Sequence, residues 1–171
     1  VNANSALLVD VRPTDFSSSH PLAGVQFQRQ MERAAYTLGG GNYHAPAQLV
    51  GDFLGQKAST VLGSVEPTYR PGVRLCRLDA CLPEFIFQSI RQALPLLDGW
   101  LKGFAAQDAV LTGVETRSSS PVRMIRDQTG QSPIRGIYPC GEGAGYAGGI
   151  MSAAVDGIRC AEYLISNQLT F

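Results

Sequence analysis

The 171 residues of this chain are enough for one domain of ordinary size, or for two small halves that share a core. With 44% hydrophobic and 16% charged residues, the chain is too apolar for an intrinsically disordered protein. Its fourteen basic and fourteen acidic residues cancel, which argues against a nucleic-acid binder or a membrane-surface binder, and we expect neither a transmembrane helix nor a signal peptide.

The first part of the chain predicts one strand and two helices. Ser5–Arg12 alternates in part, with Leu7, Val9 and Val11 on one face, which indicates a β-strand. Apolar side chains recur at helical spacing in Gly24–Leu38, and the glycine run Gly39–Gly41 would end that helix. A second, short helix is expected over Ala47–Leu54, ended by Gly55.

A loop and a third helix are expected next. Gly55–Gly72 carries prolines and a Pro-Gly turn signal, so it is predicted to be a loop. Pro83 suits the first turn of a helix, and the apolar spacing after it continues to Pro95, where we expect the helix to end.

From Ala109 the pattern becomes that of β-strands followed by a last helix. Strands are predicted over Ala109–Thr116, Val122–Asp127 and Ile134–Cys140, and a helix from about Gly149 to Ser166. The apolar positions of that helix are Ile150, Ala153, Ala154, Ile158, Ala161 and Ile165. The expected fold class is therefore mixed α+β, with a helical, loop-rich segment 1–107 and a β-then-helix segment 108–171.

None of the four cysteines forms a Cys-x-x-Cys pair with another, and the chain has only two histidines. This usage favours free, buried thiols in a reducing cytoplasm over a disulfide framework, a redox site or a zinc site. We therefore expect a cytoplasmic protein without a metal centre. The cysteines are Cys76, Cys81, Cys140 and Cys160.

Six of the 19 glycines lie between Gly136 and Gly149. Within that cluster, Gly143–Gly148 satisfies the G-x-G-x-x-G pattern, after a predicted strand and before a predicted helix. A Rossmann dinucleotide site also needs a second parallel strand that ends in an acidic residue, but Glu162 still lies inside the helix. A P-loop is excluded because no Lys-Ser or Lys-Thr pair follows the last glycine.

Two interpretations of the glycine cluster remain open. Glycines let the backbone approach a ligand closely, and the start of a helix offers N–H groups and positive potential, which suits an electron-rich, partly anionic group. Alternatively, the glycines only allow the helix to pack tightly on a sheet.

Three parts of the sequence resemble one known family. Gly136–Ile150, continued by Ser152–Gly157, resembles the C-terminal flavin motif of the uncharacterised FAD-dependent dehydrogenases, within the glutathione-reductase-like group of flavoproteins. Gly113–Arg123 resembles a second block of that family, and His20–Leu38 with Asp52–Leu54 resembles its middle region.

The resemblance implies that the last block contacts the flavin part of FAD. Glu142 would hydrogen-bond the ribityl chain, and the N–H groups around Gly148 and Gly149 would face N1 and the pyrimidine carbonyl of the flavin. Tyr146 would either stack on a flavin edge or anchor the loop. The cofactor-binding residues that the resemblance implies are Gly141, Glu142, Gly143, Tyr146, Gly148, Gly149 and Ile150.

No catalytic residue is assigned, but three candidates stand out. Arg117 or Arg123 would orient an anionic substrate or the cofactor, because a guanidinium matches carboxylates and phosphates; the alternative is a surface arginine paired with an acid. His44 follows a glycine run and would act as a general acid or base on a loop; the alternative is a packed or solvated loop residue.

The family holds the ADP half of FAD on an N-terminal Rossmann βαβ unit, which this sequence lacks, and the chain begins with Val1. We therefore expect a fragment of a larger enzyme, with a substrate-side (cap) segment followed by the C-terminal strand–helix portion of a FAD-binding fold. Alone it would be inactive and bind FAD weakly or not at all.

The expected partners are the N-terminal FAD-binding part of the same protein, a small-molecule substrate and, as a candidate, NAD(P)H, but not nucleic acid or a membrane. An exposed apolar face is expected where the absent part would dock. The alternative from another class is a non-catalytic interaction or scaffold domain with a degenerate flavin fold.

Overall fold

The structure is a computed structural model that describes residues 2–168. Within that range the fold is mixed α+β, with four α-helices and one three-stranded sheet, so the predicted fold class is confirmed. None of the helices in this range has the length and apolarity needed to cross a bilayer. The elements are α1 (Ala23–Leu38), β1 (Ala45–Leu49), α2 (Val50–Leu54), β2 (Val73–Leu75), α3 (Glu84–Trp100), β3 (Val110–Thr112) and α4 (Ile150–Gln168).

The chain divides into two compact units. The first contains the residues up to Arg12 and Gln28–Thr116, and the second contains Pro13–Phe27 and the chain from Arg117 onward. Helix α1, which the sequence predicts, therefore begins in the second unit and continues in the first. The functional division after residue 107 stays a prediction, although β3, which follows it, belongs to the first unit.

The sheet lies in the first unit and has the strand order β2–β1–β3. Strand β1 runs parallel to β2, with Ala45 opposite Val73, and antiparallel to β3, with Leu49 opposite Val110. The prediction of a single helix over Ala47–Leu54 is therefore wrong in its first part, because pairing on both sides of β1 outweighs a short helical pattern.

The apolar core of the first unit surrounds α2 and α3. Phe53 is fully buried, and its ring meets that of Phe87 edge-on at a centroid distance of 4.8 Å. Leu94 of α3 and Ala35 of α1 join the same cluster. Each large side chain buried in this way contributes about 2 kcal/mol of transfer free energy to the first unit.

A buried amide ties two loops to the sheet. Gln48 of β1 is 1% exposed; its Nε2 donates to the Lys57 carbonyl at 2.6 Å, and its Oε1 accepts from the Leu78 N–H at 2.9 Å. Because a buried polar group without partners is costly, this side chain fixes the two loops relative to β1.

Helix α3 does not end at Pro95, as the sequence predicts, but continues to Trp100. A proline inside a helix removes one hydrogen bond, here to the carbonyl of Arg91, at a cost of about 3 kcal/mol. The buried side chain of Leu94, which is 1% exposed, holds the helix in the core next to the proline. Packing therefore overrides the local signal.

Two further strand predictions fail near the chain start and before the glycine cluster. Ser5–Arg12 has no strand assignment; Leu8 is 64% exposed, and the Arg12 side chain pairs with Asp10 inside the segment. Ile134–Cys140 is also irregular, because the N–H of Ile137 closes a turn onto the carbonyl of Ile134 instead of joining a ladder.

Of the strand predicted over Ala109–Thr116, the structure contains Val110–Thr112 as β3, but the predicted strand Val122–Asp127 is not a strand. Its Met124 N–H donates to the carbonyl of Ala144, so this segment pairs with the glycine-rich loop before α4. Alternation of side chains alone does not distinguish such a segment from a strand.

Candidate functional site

The glycine loop, defined here as Gly141–Gly149, precedes α4 in the second unit. It contains the short 3₁₀ turn Glu142–Ala144, and it closes on itself because the Tyr146 N–H donates to the carbonyl of Gly141 at 3.1 Å. Ala144 is buried at the centre of the turn. The loop thus has a defined conformation even though the strand predicted to deliver it is absent from the described chain.

Two positions of the loop require glycine. Gly145 has a φ of +81°, and a Cβ there would lie 2.6 Å from the carbonyl oxygen of Val122. Gly141 has a φ of +70° with a ψ of −162°, a region that only glycine adopts readily. Gly143 and Gly148 face open space, so backbone strain does not explain them.

A shielded ion pair anchors the loop to α4. The Arg126 guanidinium donates to both Asp156 carboxylate oxygens, at 2.9 and 2.6 Å, and both side chains are 15% exposed. The same carboxylate accepts from the N–H of Gly141 at 2.8 Å, and Arg126 also donates to the carbonyl of Pro139 at 2.8 Å. One pair therefore joins three segments of the second unit.

The ion pair strongly favours the charged state of both groups. The hydrogen bonds from Arg126 and then from the Gly141 N–H lower the pKa of Asp156 to about 2. The hydrogen bond to Asp156 raises the pKa of Arg126 above its ordinary value. The pair therefore persists across the whole physiological pH range.

Tyr146 is held by contacts within the second unit. Its hydroxyl donates to the carbonyl of Met124 at 2.9 Å, and the guanidinium carbon of Arg126 lies 3.6 Å from its ring centroid. Arg123 lies 4.8 Å from the same centroid. Of the two roles considered for Tyr146, these contacts fit the loop anchor better than the flavin-stacking side chain.

A cleft of about 260 Å³ lies beside the glycine loop. One wall belongs to the block that ends in Arg123, whose Nε donates to the carbonyl of Gly145 at 3.0 Å, and the other wall belongs to the loop itself. Hydroxyl, guanidinium, carboxylate and backbone groups thus meet in one place. The lining residues are Ser119, Ser120, Arg123, Glu142, Gly145, Tyr146, Ala147 and Gly148.

The beginning of α4 is open to solvent. Ile150 is 90% exposed, and Gly148 and Gly149 are also exposed. The N–H of Gly149 donates to the Ser152 hydroxyl at 3.1 Å, so one of the predicted flavin donors already has a partner. The N–H of Ala153 donates to the Gly149 carbonyl at 2.8 Å, and the N–H groups before it in the first turn lie at the positive end of the helix dipole.

These groups fit part of a flavin cofactor. The carboxylate of Glu142 can accept from hydroxyl groups, and the start of α4 can donate to carbonyl or ring nitrogen acceptors. The cleft lies below the ~300–1,000 Å³ of complete ligand sites, so it would hold one portion of a dinucleotide rather than the whole.

The three catalytic candidates lie in different places. Arg123 lines the cleft together with Glu142. Arg117 is exposed in the second unit and is not among the described residues that line the cleft. His44 belongs to the first unit, where it is half-buried just before β1 and a Cβ on Gly72 would lie 3.3 Å from its Nε2.

The cysteines are free, as expected, but not uniformly buried. Burial raises the pKa of Cys81 to about 12 and also raises that of Cys160, which holds both thiols in the protonated, unreactive form. Cys140 is exposed, so the expectation of a buried thiol is wrong there, and Cys76 is half-buried. Residues 2–168 contain no group of three His, Cys, Asp or Glu side chains that could hold a metal ion.

Sequence reasoning did not identify the Arg126–Asp156 pair as the anchor of the loop. A signal was present, because Asp156 lies three residues after Ala153 and four before Cys160, which places an acidic side chain on a face of small apolar residues. An acid in such surroundings is usually paired. Its partner is 30 positions away in the sequence, where no periodic pattern points to it.

The chain is similar to a protein family and to a curated bacterial protein. The family described as "FAD-dependent protein, C-terminal domain-like" matches residues 1–118. A protein of Clostridium beijerinckii (strain ATCC 51743 / NCIMB 8052), described as "Uncharacterized protein", is 52% identical over 165 residues, which cover 96% of this chain and 31% of the relative. The chain thus spans about a third of the length of the curated relative that it matches.

The family match covers the first unit and, of the second unit, Pro13–Phe27 and the first two residues after Thr116, whereas the match to the Clostridium relative extends over nearly the whole chain, glycine loop included. Because the family match spans more than half of the residues, the chain belongs to the family of FAD-dependent proteins, C-terminal domain-like.

Proposed function

We propose that this chain is the C-terminal part of a FAD-dependent oxidoreductase of the glutathione-reductase-like group, where it positions the flavin ring and part of the substrate pocket. One observation carries the proposal. The block that ends in Arg123 and the glycine loop, which the sequence marks separately as flavoprotein-like, line the same cleft in the second unit. The family match adds independent support for a link to FAD.

Different residues of the cleft would bind different parts of the flavin. Glu142 would accept hydrogen bonds from the ribityl hydroxyls, and the first turn of α4 would face the pyrimidine edge of the flavin. The helix dipole stabilises negative charge at that edge without any side-chain movement, which is electrostatic preorganisation by the main chain. When bound, FAD supplies the hydride chemistry.

Arg123 and the two serines opposite the loop would bind anionic or hydroxyl groups of the cofactor or substrate. Arg117 and His44 remain candidates for substrate binding and proton transfer. The partners we propose are the N-terminal FAD-binding part of the longer protein, a small-molecule substrate and NAD(P)H as the candidate redox partner. The cytoplasmic location predicted from the free thiols stays a prediction.

The test uses a full-length exchange protein, defined as the Clostridium relative in which this chain replaces the matching segment. We expect the purified exchange protein to carry the visible absorbance of an oxidised flavin. Replacing Glu142 by Gln should weaken FAD binding about tenfold, because a hydrogen bond to a charged acceptor is worth about 1.5 kcal/mol. The matched control is Glu162→Gln, an exposed glutamate of α4.

Equal FAD dissociation constants for the Glu142→Gln and Glu162→Gln exchange proteins would remove Glu142 from the site. The 171-residue chain by itself provides a second check by isothermal titration with FAD. We expect binding weaker than micromolar, since the cleft holds only one portion of the cofactor. Micromolar or tighter binding would contradict that expectation.

The second candidate function is a non-catalytic interaction or scaffold domain. It is favoured by apolar side chains that the second unit leaves exposed, among them Ile125, which is 66% exposed, and Met124, which is 53% exposed. A folded exchange protein that is colourless and does not bind added FAD would support this candidate against the oxidoreductase.

A further inference from the structure

Helix α4 has an apolar stripe that faces solvent. We define the α4 stripe by five positions separated by four, four, three and four residues: Ile150, Ala154, Ile158, Ala161 and Ile165. This spacing places all five side chains on one face of a helix. The three isoleucines are 90%, 61% and 58% exposed, and both alanines are exposed as well.

The opposite face of α4 is the one that packs within the second unit. Cys160 is 4% exposed, and Asp156 lies on the same side, held by Arg126. Because that ion pair fixes the rotation of the helix about its axis, the stripe cannot turn inward to bury itself. The apolar positions that the sequence predicts for this helix are therefore largely its outward face.

A continuous stripe of this kind is unusual for a surface that stays in water, since apolar side chains in such rows are normally covered. The charged residues of this part of the helix, Arg159 and Glu162, lie outside the stripe. Isoleucines alternate with alanines along it, which gives a flat face without protruding polar groups. The surface that covers it should therefore be apolar and uncharged.

The length of the relative indicates where that surface comes from. The match to the Clostridium protein covers 96% of this chain, including α4, but only 31% of the relative. We propose that the α4 stripe docks on an apolar face of a folded domain supplied by the remaining part of the longer polypeptide. The inference rests on the proposed function only in treating the chain as part of a longer protein.

Thiol labelling tests this directly. Ile158→Cys places a reporter on the stripe, and Ile134→Cys places one at an off-stripe isoleucine of similar exposure, 66% against 61%. Each variant is treated with N-ethylmaleimide, both in the 171-residue chain and in the exchange protein, and the labelling rate of each cysteine is measured by mass spectrometry. Both substitutions are exposed and should leave folding intact.

We expect the two reporters to react at similar rates in the 171-residue chain. In the exchange protein, labelling at position 158 should slow at least tenfold relative to position 134. The native cysteines control for folding, because Cys81 and Cys160 are buried and must stay unlabelled in both proteins. An exchange protein that labels at those thiols is unfolded and is replaced by the full-length product of this chain's own gene.

Equal slowing at both positions, or none, would overturn the proposal. A labelling rate at position 158 that falls as the concentration of the 171-residue chain rises would also overturn it, in favour of a second copy as the occupant. The outcome does not depend on the flavin site, because the Glu142→Gln exchange protein should lose FAD affinity and still protect position 158. FAD affinity therefore tests the proposed flavin site, and the labelling rate at position 158 tests the docking of the α4 stripe, independently of each other.

Discussion

The two units of the chain are stabilised in different ways. In the first, Phe53, Leu94 and Val50 are at most 2% exposed and form a continuous apolar core with the neighbouring helices. In the second, the glycine loop is held by hydrogen bonds and by one ion pair, Arg126–Asp156. The first unit thus depends mainly on the hydrophobic effect, and the second depends on directed polar contacts.

This difference suits the first unit to be a rigid scaffold and the second unit to carry the candidate site. A polar network can fix a loop in one conformation while leaving its donors and acceptors near solvent, where a ligand can reach them. The second unit also leaves apolar side chains outward along the length of α4, such as Ile150 and Ile158, whereas the most exposed ones of α3 in the first unit, Leu96 and Trp100, lie near its C-terminal end. Binding and docking surfaces are therefore expected in the second unit.

The largest expected effect is the loss of a core ring in the first unit. Phe53→Ala should reduce the free energy of unfolding by about 4 kcal/mol, because it removes a fully buried side chain and leaves a cavity. Urea unfolding of the 171-residue chain followed by circular dichroism measures the change. The control Phe85→Ala, at a side chain that is 37% exposed, should cost less than about 1.5 kcal/mol.

A smaller effect is expected from the backbone of the glycine loop. Gly145→Ala should cost about 2–3 kcal/mol, because the residue has a φ of +81° and its Cβ would overlap the Val122 carbonyl. Peptide-resolved amide hydrogen exchange should show the loss in the second unit. Gly143→Ala is the matched control, since open space surrounds that position; equal losses for both variants would contradict the conformational argument.

These contrasts also explain which parts of the fold the sequence predicts. Helix α1 is predicted almost to the residue because its periodicity is long and a glycine run follows it. Helix α3 is predicted too short at Pro95, because the burial of Leu94 is a tertiary fact that no local pattern contains. The three false strands alternate only in part, and a strand also needs a neighbour with which to pair.

For the site, the sequence predicts where the loop lies better than it predicts the contacts that hold the loop in place. The glycine spacing correctly marks a loop at the start of a helix. Glu142 does line the cleft, but its contact with a flavin, which the family resemblance implies, stays a prediction. The sequence does not reveal that Asp156 and Arg126 fix that loop, because the two residues meet only in the folded chain. Contacts across 30 residues depend on packing rather than on periodicity.

The Arg126–Asp156 ion pair allows a pH-dependent test of the claim that polar contacts stabilise the second unit. Asp156→Asn should cost about 1–2 kcal/mol at pH 7, because it removes a shielded charge-assisted contact. The pKa of Asp156 is lowered to about 2 in the folded chain, against about 3.9 unfolded. Its stabilisation is therefore fully present above pH ~4 and is lost as the pH falls from ~4 towards 2.

Unfolding measured from pH 7 down to pH 2 should thus show a smaller acid-induced loss for Asp156→Asn than for the unchanged chain. The comparison variant is Asp10→Asn, which breaks the exposed pair with Arg12, where the side chains are 81% and 76% exposed. At pH 7 this variant should change stability by less than about 0.5 kcal/mol. An equally large loss in both variants would mean that shielding of the Arg126–Asp156 pair has no effect.

The smallest stability effect is expected at the second arginine on Tyr146. Arg123→Ala should cost only about 0.5–1 kcal/mol, because its hydrogen bond to the Gly145 carbonyl is exposed and its contact with the ring is longer, at 4.8 Å, than the 3.6 Å contact of Arg126. In the exchange protein, however, the same change should weaken FAD binding about tenfold, since Arg123 lines the cleft and Arg126 is occupied by Asp156. Unfolding and FAD titration of this one variant therefore distinguish a cofactor-binding role of Arg123 from a role as loop anchor. A large stability loss with unchanged FAD affinity would make Arg123 a second anchor beside Arg126. The polar contacts of the second unit would then serve structure alone.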